Sequence, residues 1–433
     1  MMPTRFDAII VGAGPAGSTA AILLARAGWL VALVEKQRFP RRKVCGECLA
    51  ASNLPLLDAL GIGAGFEASA GPDLRRVALM QGERSIVADL PPADHPRHVW
   101  GRALGRETLD TLLLEQARAA GAMVLQPWSV QALHGSAGEH RCDIRAVGSD
   151  QMATLHAPVL IAAHGSWEPL PASRAARRLE RRPGDLFAFK ANFHGTTLAE
   201  GLLPVLSFNG GYGGMVVADH GVTTLACCIR EDRLEACRRE APGLSAGEVV
   251  EALLKRECRG VAEALGNAKR EGAWLATGPM DPGIRLRQDD TLFRIGNAAG
   301  EAHPIIGEGM SMALQSACLL CAQLLRPALQ HGGLSGAAWQ RGVRKRYAAE
   351  WRRHFAPRLR LAAAFAHLAM RPAMASPLLA LLSRWPALLT HGARWSGKVS
   401  CAPTPATMAW LASGSGAKYI DPAVDPSVHR DAT

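Results

Sequence analysis

Apolar runs and a glycine-punctuated turn alternate over the first forty positions. Residues 8–11 (AIIV) predict a short buried strand. Residues 18–27 predict an Ala- and Leu-rich helix that Gly28 stops, and residues 30–34 predict a second strand. Strand, helix and strand at this spacing form a βαβ unit. Further on, Leu56, Leu57 and Leu60 predict a helix from near Leu49 to Gly61, and residues 74–96 read as short strands and turns. Arg106 opens a helix with Leu109, Leu112, Leu113 and Ala117 on one face, which Gly121 ends. Strands follow over residues 122–125 and 129–133. The run 159–163 (VLIAA) is a buried parallel strand that strikes a turn at His164-Gly165-Ser166. Residues 174–183 form a polar connector.

From Leu186 the period changes to two, with Gly-rich turns, which predicts an antiparallel sheet. An amphipathic segment over residues 245–265 packs on it, and residues 273–285 lead back toward the first domain. A strand over residues 292–295 enters a second Gly-rich loop, and a long helix begins near Met310. From about Trp339 the chain is helical, alternately basic and apolar, and Arg344, Lys345, Arg346, Arg352 and Arg353 read as a solvated face. Residues 377–389 read as a core helix pair; covering an apolar channel or resting on a membrane surface are the alternatives. The tail beyond Ser413 has the composition of a disordered segment.

These periods predict an α/β chain that is α+β in its second domain. Residues 1–72, 98–176 and 276–335 form a discontinuous Rossmann-type domain, and residues 73–97 and 177–275 form an inserted antiparallel-sheet substrate domain. Residues 336–412 form a helical C-terminal part. With 433 residues, 48% hydrophobic and 20% charged, the chain has ample core. No run approaches the roughly 20 apolar residues of a membrane span, and no secretory pattern is present, so the expectation is a cytoplasmic protein, peripherally membrane-associated at most. The C-x-x-C pairs Cys45/Cys48 and Cys318/Cys321 lie far apart, and the second sits in an apolar helix, which argues against zinc and for reduced thiols. A net charge of +11 fits an acidic partner, including a membrane surface or a carrier protein, and equally an Arg-rich genome. No nucleic-acid module is visible.

Candidate chemistry concentrates in the first unit. Gly12, Gly14 and Gly17 stand at G-x-G-x-x-G spacing, and Glu35 ends the second strand. Gly12 permits the tight turn, Gly14 a close approach to a pyrophosphate, and Gly17 close helix packing; the helix N-terminus offers N–H groups to phosphate. Glu35 is placed to accept bonds from ribose hydroxyls. The pattern predicts a dinucleotide site; a glycine-rich turn in an ordinary α/β domain is the alternative, and it does not explain Glu35. The basic loop Arg41, Arg42, Lys43 leaves the sheet beside it and carries Cys45, Gly46, Glu47 and Cys48. Cations beside Cys45 favour its thiolate, and the spacing allows a redox pair with Cys48; two small buried cysteines are the alternative.

Three stretches in chain order, VGAGPAGSTAA with Glu35, LGRETLD with Arg106, and IGNAAGEAHPIIGEGMSMAL, resemble flavoproteins of the para-hydroxybenzoate hydroxylase fold. FPRRKVCGE, the YGG at Tyr212, and LLTHGARWSGK resemble its geranylgeranyl reductase-like branch. The resemblance spans residues 5–400 and implies FAD; the single dinucleotide fingerprint fits NAD(P)H as a transient electron donor, or electrons delivered by a separate protein. It implies that Gly12, Gly14, Pro15, Ala16 and Gly17 bind the pyrophosphate, Glu35 and Lys36 the adenosine end, and Arg106 the phosphate or ribityl region. Val130, Gly165, Asn297 and Gly300 complete the cofactor site, with Pro304, Gly307, Gly309 and Met310 beside the isoalloxazine.

Some positions depart from the family. Asn297 stands where it usually has Asp, which removes a charge near the ribityl chain. His164-Gly165 replaces Asp-Gly. The prenyl reductases' Trp-x-Phe-Pro after the tyrosine is absent, as is the paired-Trp motif of tryptophan halogenases. Lys190 reads as an exposed strand lysine. The implied function is an FAD-dependent oxidoreductase, first a monooxygenase (hydroxylase or epoxidase) on an apolar or aromatic substrate. The alternative is a reductase of carbon–carbon double bonds in an isoprenoid, polyene or lipid chain, with Cys45, Glu47 or Tyr212 handling the proton. A halogenase or a non-catalytic flavoprotein ranks lower.

Overall fold

The computed structural model describes residues 3–166, 181–287, 291–326 and 336–413. Most of the connector at 174–183 and nearly all of the tail lie outside these residues.

A five-stranded parallel sheet organises the first half. Its spatial order is Phe293–Arg294, Val159–Ala162, Ala8–Val11, Val31–Val34, Met123–Leu125. Ala8 lies in register with both Val159 and Val31. Every residue of the central strand is buried because both faces are covered, as a parallel sheet requires. Ala8 and Ile10 face the helices Pro15–Arg26, Arg106–Ala119 and Gly309–Leu324, while Ile9 and Val11 face the antiparallel strands Trp128–Ser136, Glu139–Ala146 and Met152–Ala157.

The second sheet has seven strands, in the order Lys269–Met280, Leu186–His194, Thr223–Arg230, Gly211–Val217, Leu202–Phe208, Arg76–Gln81, Arg84–Asp89. It is antiparallel except between Leu202–Phe208 and Arg76–Gln81, which run parallel. The segment expected only to lead back is thus a twelve-residue edge strand. Helices Ala246–Glu257 and Arg259–Ala264 cover one face through Val249, Val250, Leu253 and Val261. Ser245 and Glu248 cap the first of them reciprocally. The other face looks toward the dinucleotide sheet.

The helix expected from Leu49 starts at Leu54 instead. Cys48–Leu49 pairs as a strand with Arg102–Ala103, and Pro55 fits the first helical turn. Gly61 ends the helix at φ +86°.

The 33-residue helix Ala337–Ala369 buries Val343, Tyr347, Trp351 and Phe355 against Gly309–Leu324. Its basic residues are not all solvated: Arg346 donates to Gln323 at 3.0 Å and Arg352 to the Leu286 carbonyl at 3.1 Å. Two shorter helices, Pro372–Arg384 and Ala387–Trp395, lie over the edge strand Arg84–Asp89, where Leu379 and Leu382 pack on Ile86. No described helix is long and apolar enough to cross a membrane.

Candidate active site

A cavity of about 1170 Å³ runs from the carboxyl ends of the parallel strands, under the seven-stranded sheet, to the two short C-terminal helices. That exceeds the usual range for a single small ligand, roughly 300–1,000 Å³. Its glycine loop is built by exclusion. Gly12 has φ +102°, and a Cβ there would lie 2.6 Å from the Ala163 carbonyl oxygen. A Cβ on Gly17 would lie 1.8 Å from the Gly12 oxygen, so Gly17 packs the helix and does not line the cavity. Gly14 is different: a Cβ there would meet only the Arg106 and Arg41 guanidinium groups, at 3.7 and 3.9 Å. Pro15 and Ala16 follow at the wall, on a helix that begins with no side-chain cap, so its first N–H groups are left for a ligand.

The charges around this opening are ordered. Arg106 holds Asp110 in a two-pronged pair at 2.7 Å. Arg41 lies 3.4 Å from Asp110 and 3.7 Å from Glu35. Burial, followed by the neighbouring Arg41 and Arg106, pushes the Lys43 ammonium down to about 8. Glu35 already accepts bonds from the Ala13 and Gln37 N–H groups, both at 2.9 Å, which fixes its carboxylate at the end of the strand. Open helix N-terminus, glycine cradle and three cations fit a dinucleotide pyrophosphate. Lys36, Val130 and Gly165 line the same stretch.

Asn297 lines the next part, and the charge that its amide removes returns nearby. Asn297 donates to Glu301 at 3.2 Å, and Ser166 donates to the same oxygen at 2.9 Å. Arg285 holds the other carboxylate oxygen at 3.1 Å. Glu301 is buried and lines the cavity. Sequence reasoning passed over it, although its place four residues beyond Asn297 was the available signal. Gly300 does not line the cavity; a Cβ there would strike the Trp351 ring at 2.5 Å. Pro304, Gly307, Gly309 and Met310 do line it, and Gly307 has φ +64°. Lys398 reaches this loop from the C-terminal segment and pairs with buried Glu308 at 3.2 Å.

Three expected catalytic residues converge on the cavity wall, with different freedom. Cys45 lines it, half-buried, and all ten cysteines are free thiols. Burial pushes the Cys48 thiol up, which opposes the thiolate a redox pair needs. Glu47 is buried at φ +57°, a conformation rare for residues with side chains. Its carboxylate accepts from Lys190, from Thr224 and, at 2.9 Å, from the Arg106 N–H. Lys190 is therefore not the exposed strand lysine of the sequence reading; it is 1% exposed. Its strand is paired on both sides, and its side chain reaches Glu47 on the loop that leaves the parallel sheet. Tyr212 lines the cavity and bonds His303 Nδ1 at 3.0 Å. The His303 ring then meets that of His367, which is exposed, with centroids 6.0 Å apart.

Burial, then the nearby His367, pushes the His303 imidazole down to about 4. Burial, then Arg344, does the same to His140. An unfolded imidazole titrates near 6.5. Both folded values lie below that, so each histidine's contribution is complete above about 6.5 and is lost as pH falls toward 4. At about pH 5 the loss is roughly 2 kcal/mol per histidine. The melting temperature is expected to fall steeply from about pH 6.5 to about pH 5, and His303→Gln is expected to flatten part of that fall. A pH-independent melting temperature in this window excludes the assignment.

Residues 5–208 match the family model described as an FAD binding domain. The chain is 37% identical over 134 residues to a tryptophan 2-halogenase of Chondromyces crocatus, covering 30% of this chain and 24% of that one. It is 32% identical over 166 residues to a menaquinone reductase of Mycolicibacterium smegmatis, covering 38% and 39%. It thus spans about a quarter to two fifths of the length of these relatives. Across the whole fold it is similar to the myxobacterial chondrochloren halogenase CndH, with a TM-score of 0.70 and 18% identity over 96% of this chain and 98% of that one. The likeness to an FAD binding domain covers residues 5–208, and the chain as a whole has the fold of FAD-dependent oxidoreductases.

Proposed function

We propose that the chain reduces carbon–carbon double bonds in an elongated apolar substrate, an isoprenoid, polyene or lipid chain, with NAD(P)H as the transient electron donor. The observation that carries this reading is Tyr212 at the cavity wall, backed by His303 and then by surface-exposed His367. Reduction of an alkene needs a hydride on one carbon and a proton on the other. Bound FAD supplies the hydride equivalent. Tyr212 Oη supplies the proton, and neutral His303 hands it a replacement by accepting at one ring nitrogen and donating at the other.

The cavity beyond the cofactor loops fits the substrate class. Val77, Leu79, Leu203, Val205, Leu361 and Leu368 line it, with few polar groups. The 32% identity to a menaquinone reductase supports the same direction. We assign the cofactor roles to the lining residues named above, and to Gly17 and Gly300 only a packing role. Glu47, with its carboxylate occupied, is a positioning residue that sets Arg106. Lys190 spends its ammonium on Glu47.

The monooxygenase reading draws on the same apolar enclosure, which excludes water from a reactive oxygen adduct. One experiment separates the two. The enzyme is reduced without air and mixed with polyenes and prenyl quinones. Reoxidation of the flavin, with a product that gains two hydrogens at a chain double bond, is the expected result; a quinol with its chain unchanged, or turnover that requires O₂ and adds an oxygen atom, rejects it. Tyr212→Phe is expected to slow this reoxidation by about 10²-fold with FAD content unchanged. An unchanged rate removes Tyr212 from the chemistry.

A further inference from the structure

We propose that the paired helices Pro372–Arg384 and Ala387–Trp395 dock the protein on an anionic lipid surface, with the cavity mouth facing the lipid. The inner side of the pair is accounted for, because Leu379 and Leu382 are buried on Ile86. The outer side is apolar as well. Met374, Leu381, Trp385, Leu388 and Trp395 are all exposed, the two tryptophans by 57% and 74%. Nearly half of the large apolar residues exposed among the described residues fall within this one stretch. A helix pair apolar on both sides has the pattern of a segment in contact with lipid. Tryptophan, with its apolar ring and polar N–H, suits the headgroup boundary.

Charge selects the occupant. Arg371, Arg384 and Arg394 are exposed around the apolar residues. No Asp or Glu occurs anywhere in residues 351–420. An acid-free basic stretch with exposed tryptophan is complementary to anionic headgroups above an apolar layer. The surface is also continuous with the cavity: Leu388, His391 and Trp395 are exposed and line it at the same time. An apolar molecule leaving the lipid at this point enters the cavity without crossing water. The pair is too short to span a bilayer, so it lies on one leaflet.

Docking is measured without reference to the reaction, so it stands or falls apart from the function proposed above. The FAD-loaded full chain is sedimented with vesicles of phosphatidylcholine containing one-third phosphatidylglycerol, and with pure phosphatidylcholine. Binding to the first and much weaker binding to the second are expected. The double variant Trp385→Ser/Trp395→Ser is expected to weaken binding by about tenfold or more with FAD content intact, and Arg384→Gln/Arg394→Gln to weaken it most at low salt. Wild-type chain that stays in the supernatant overturns the proposal, as does a tryptophan variant that binds like wild type. Self-association that the tryptophan variant abolishes, without vesicle binding, assigns the surface to a second copy instead.

Discussion

Lys190→Met is expected to lower the unfolding free energy by about 3–5 kcal/mol. The Lys190 and Glu47 side chains are each 2% exposed, so the substitution leaves a buried carboxylate without its counter-charge. The two remaining donors, Thr224 and the Arg106 N–H, do not neutralise it. The cost falls on a joint between the two large sheets, because Glu47 belongs to the loop leaving the parallel sheet and Lys190 to the seven-stranded sheet. Asp219, in the turn between strands Gly211–Val217 and Thr223–Arg230, makes a parallel tie: it accepts from the Gly105 N–H, and from Thr108 at 2.6 Å, so it holds the start of the Arg106–Ala119 helix across the interface. The double variant Glu47→Gln/Lys190→Met removes both charges and keeps an acceptor for the same N–H. It is expected to recover most of the loss, and denaturant titration of the four chains gives the coupling energy. A Lys190→Met chain as stable as wild type shows that the pair is not buried as described.

The fold was legible where a single period dominated. The βαβ unit, the Arg106 helix and the Gly309–Leu324 helix each carry an apolar face or run that only one element satisfies. It was less legible where tertiary contacts set the outcome. Cys48–Leu49 is a strand only because Arg102–Ala103 lies beside it, and Lys269–Met280 only because Leu186–His194 offers an open edge. The glycine-rich loops were readable because their glycines answer to backbone geometry. The polar wall was not. Lys190 looks like a surface lysine in a strand whose neighbours on both faces are apolar, and its partner lies 143 residues away. Glu301 and His303 acquire meaning only when Arg285, Ser166 and Tyr212 arrive from other elements. Proximity of this kind leaves no spacing to read.

Gly14→Val and Gly17→Ala are expected to fail in different ways, although both lie in one motif. Gly14 has extended backbone, φ −70° and ψ −176°, which any residue adopts, and its missing Cβ points into the opening between Arg41 and Arg106. A valine there leaves the apo chain's stability nearly unchanged and takes the place of phosphate. FAD affinity is expected to fall by about 100-fold, roughly 2.7 kcal/mol. Gly17 faces protein. A Cβ 1.8 Å from the Gly12 oxygen has no flexible neighbour to displace, so the helix itself must move away from the strand it caps. That overpacking is expected to cost the apo chain about 1–3 kcal/mol. It also shifts the N–H groups at the start of Pro15–Arg26, so FAD affinity falls as well. Thermal melts without cofactor, set beside FAD titrations, separate the two: Gly14→Val changes only the titration, and Gly17→Ala changes both. Equal apo melting temperatures for the two variants contradict the division of the motif into a face that meets the ligand and a face that packs the sheet.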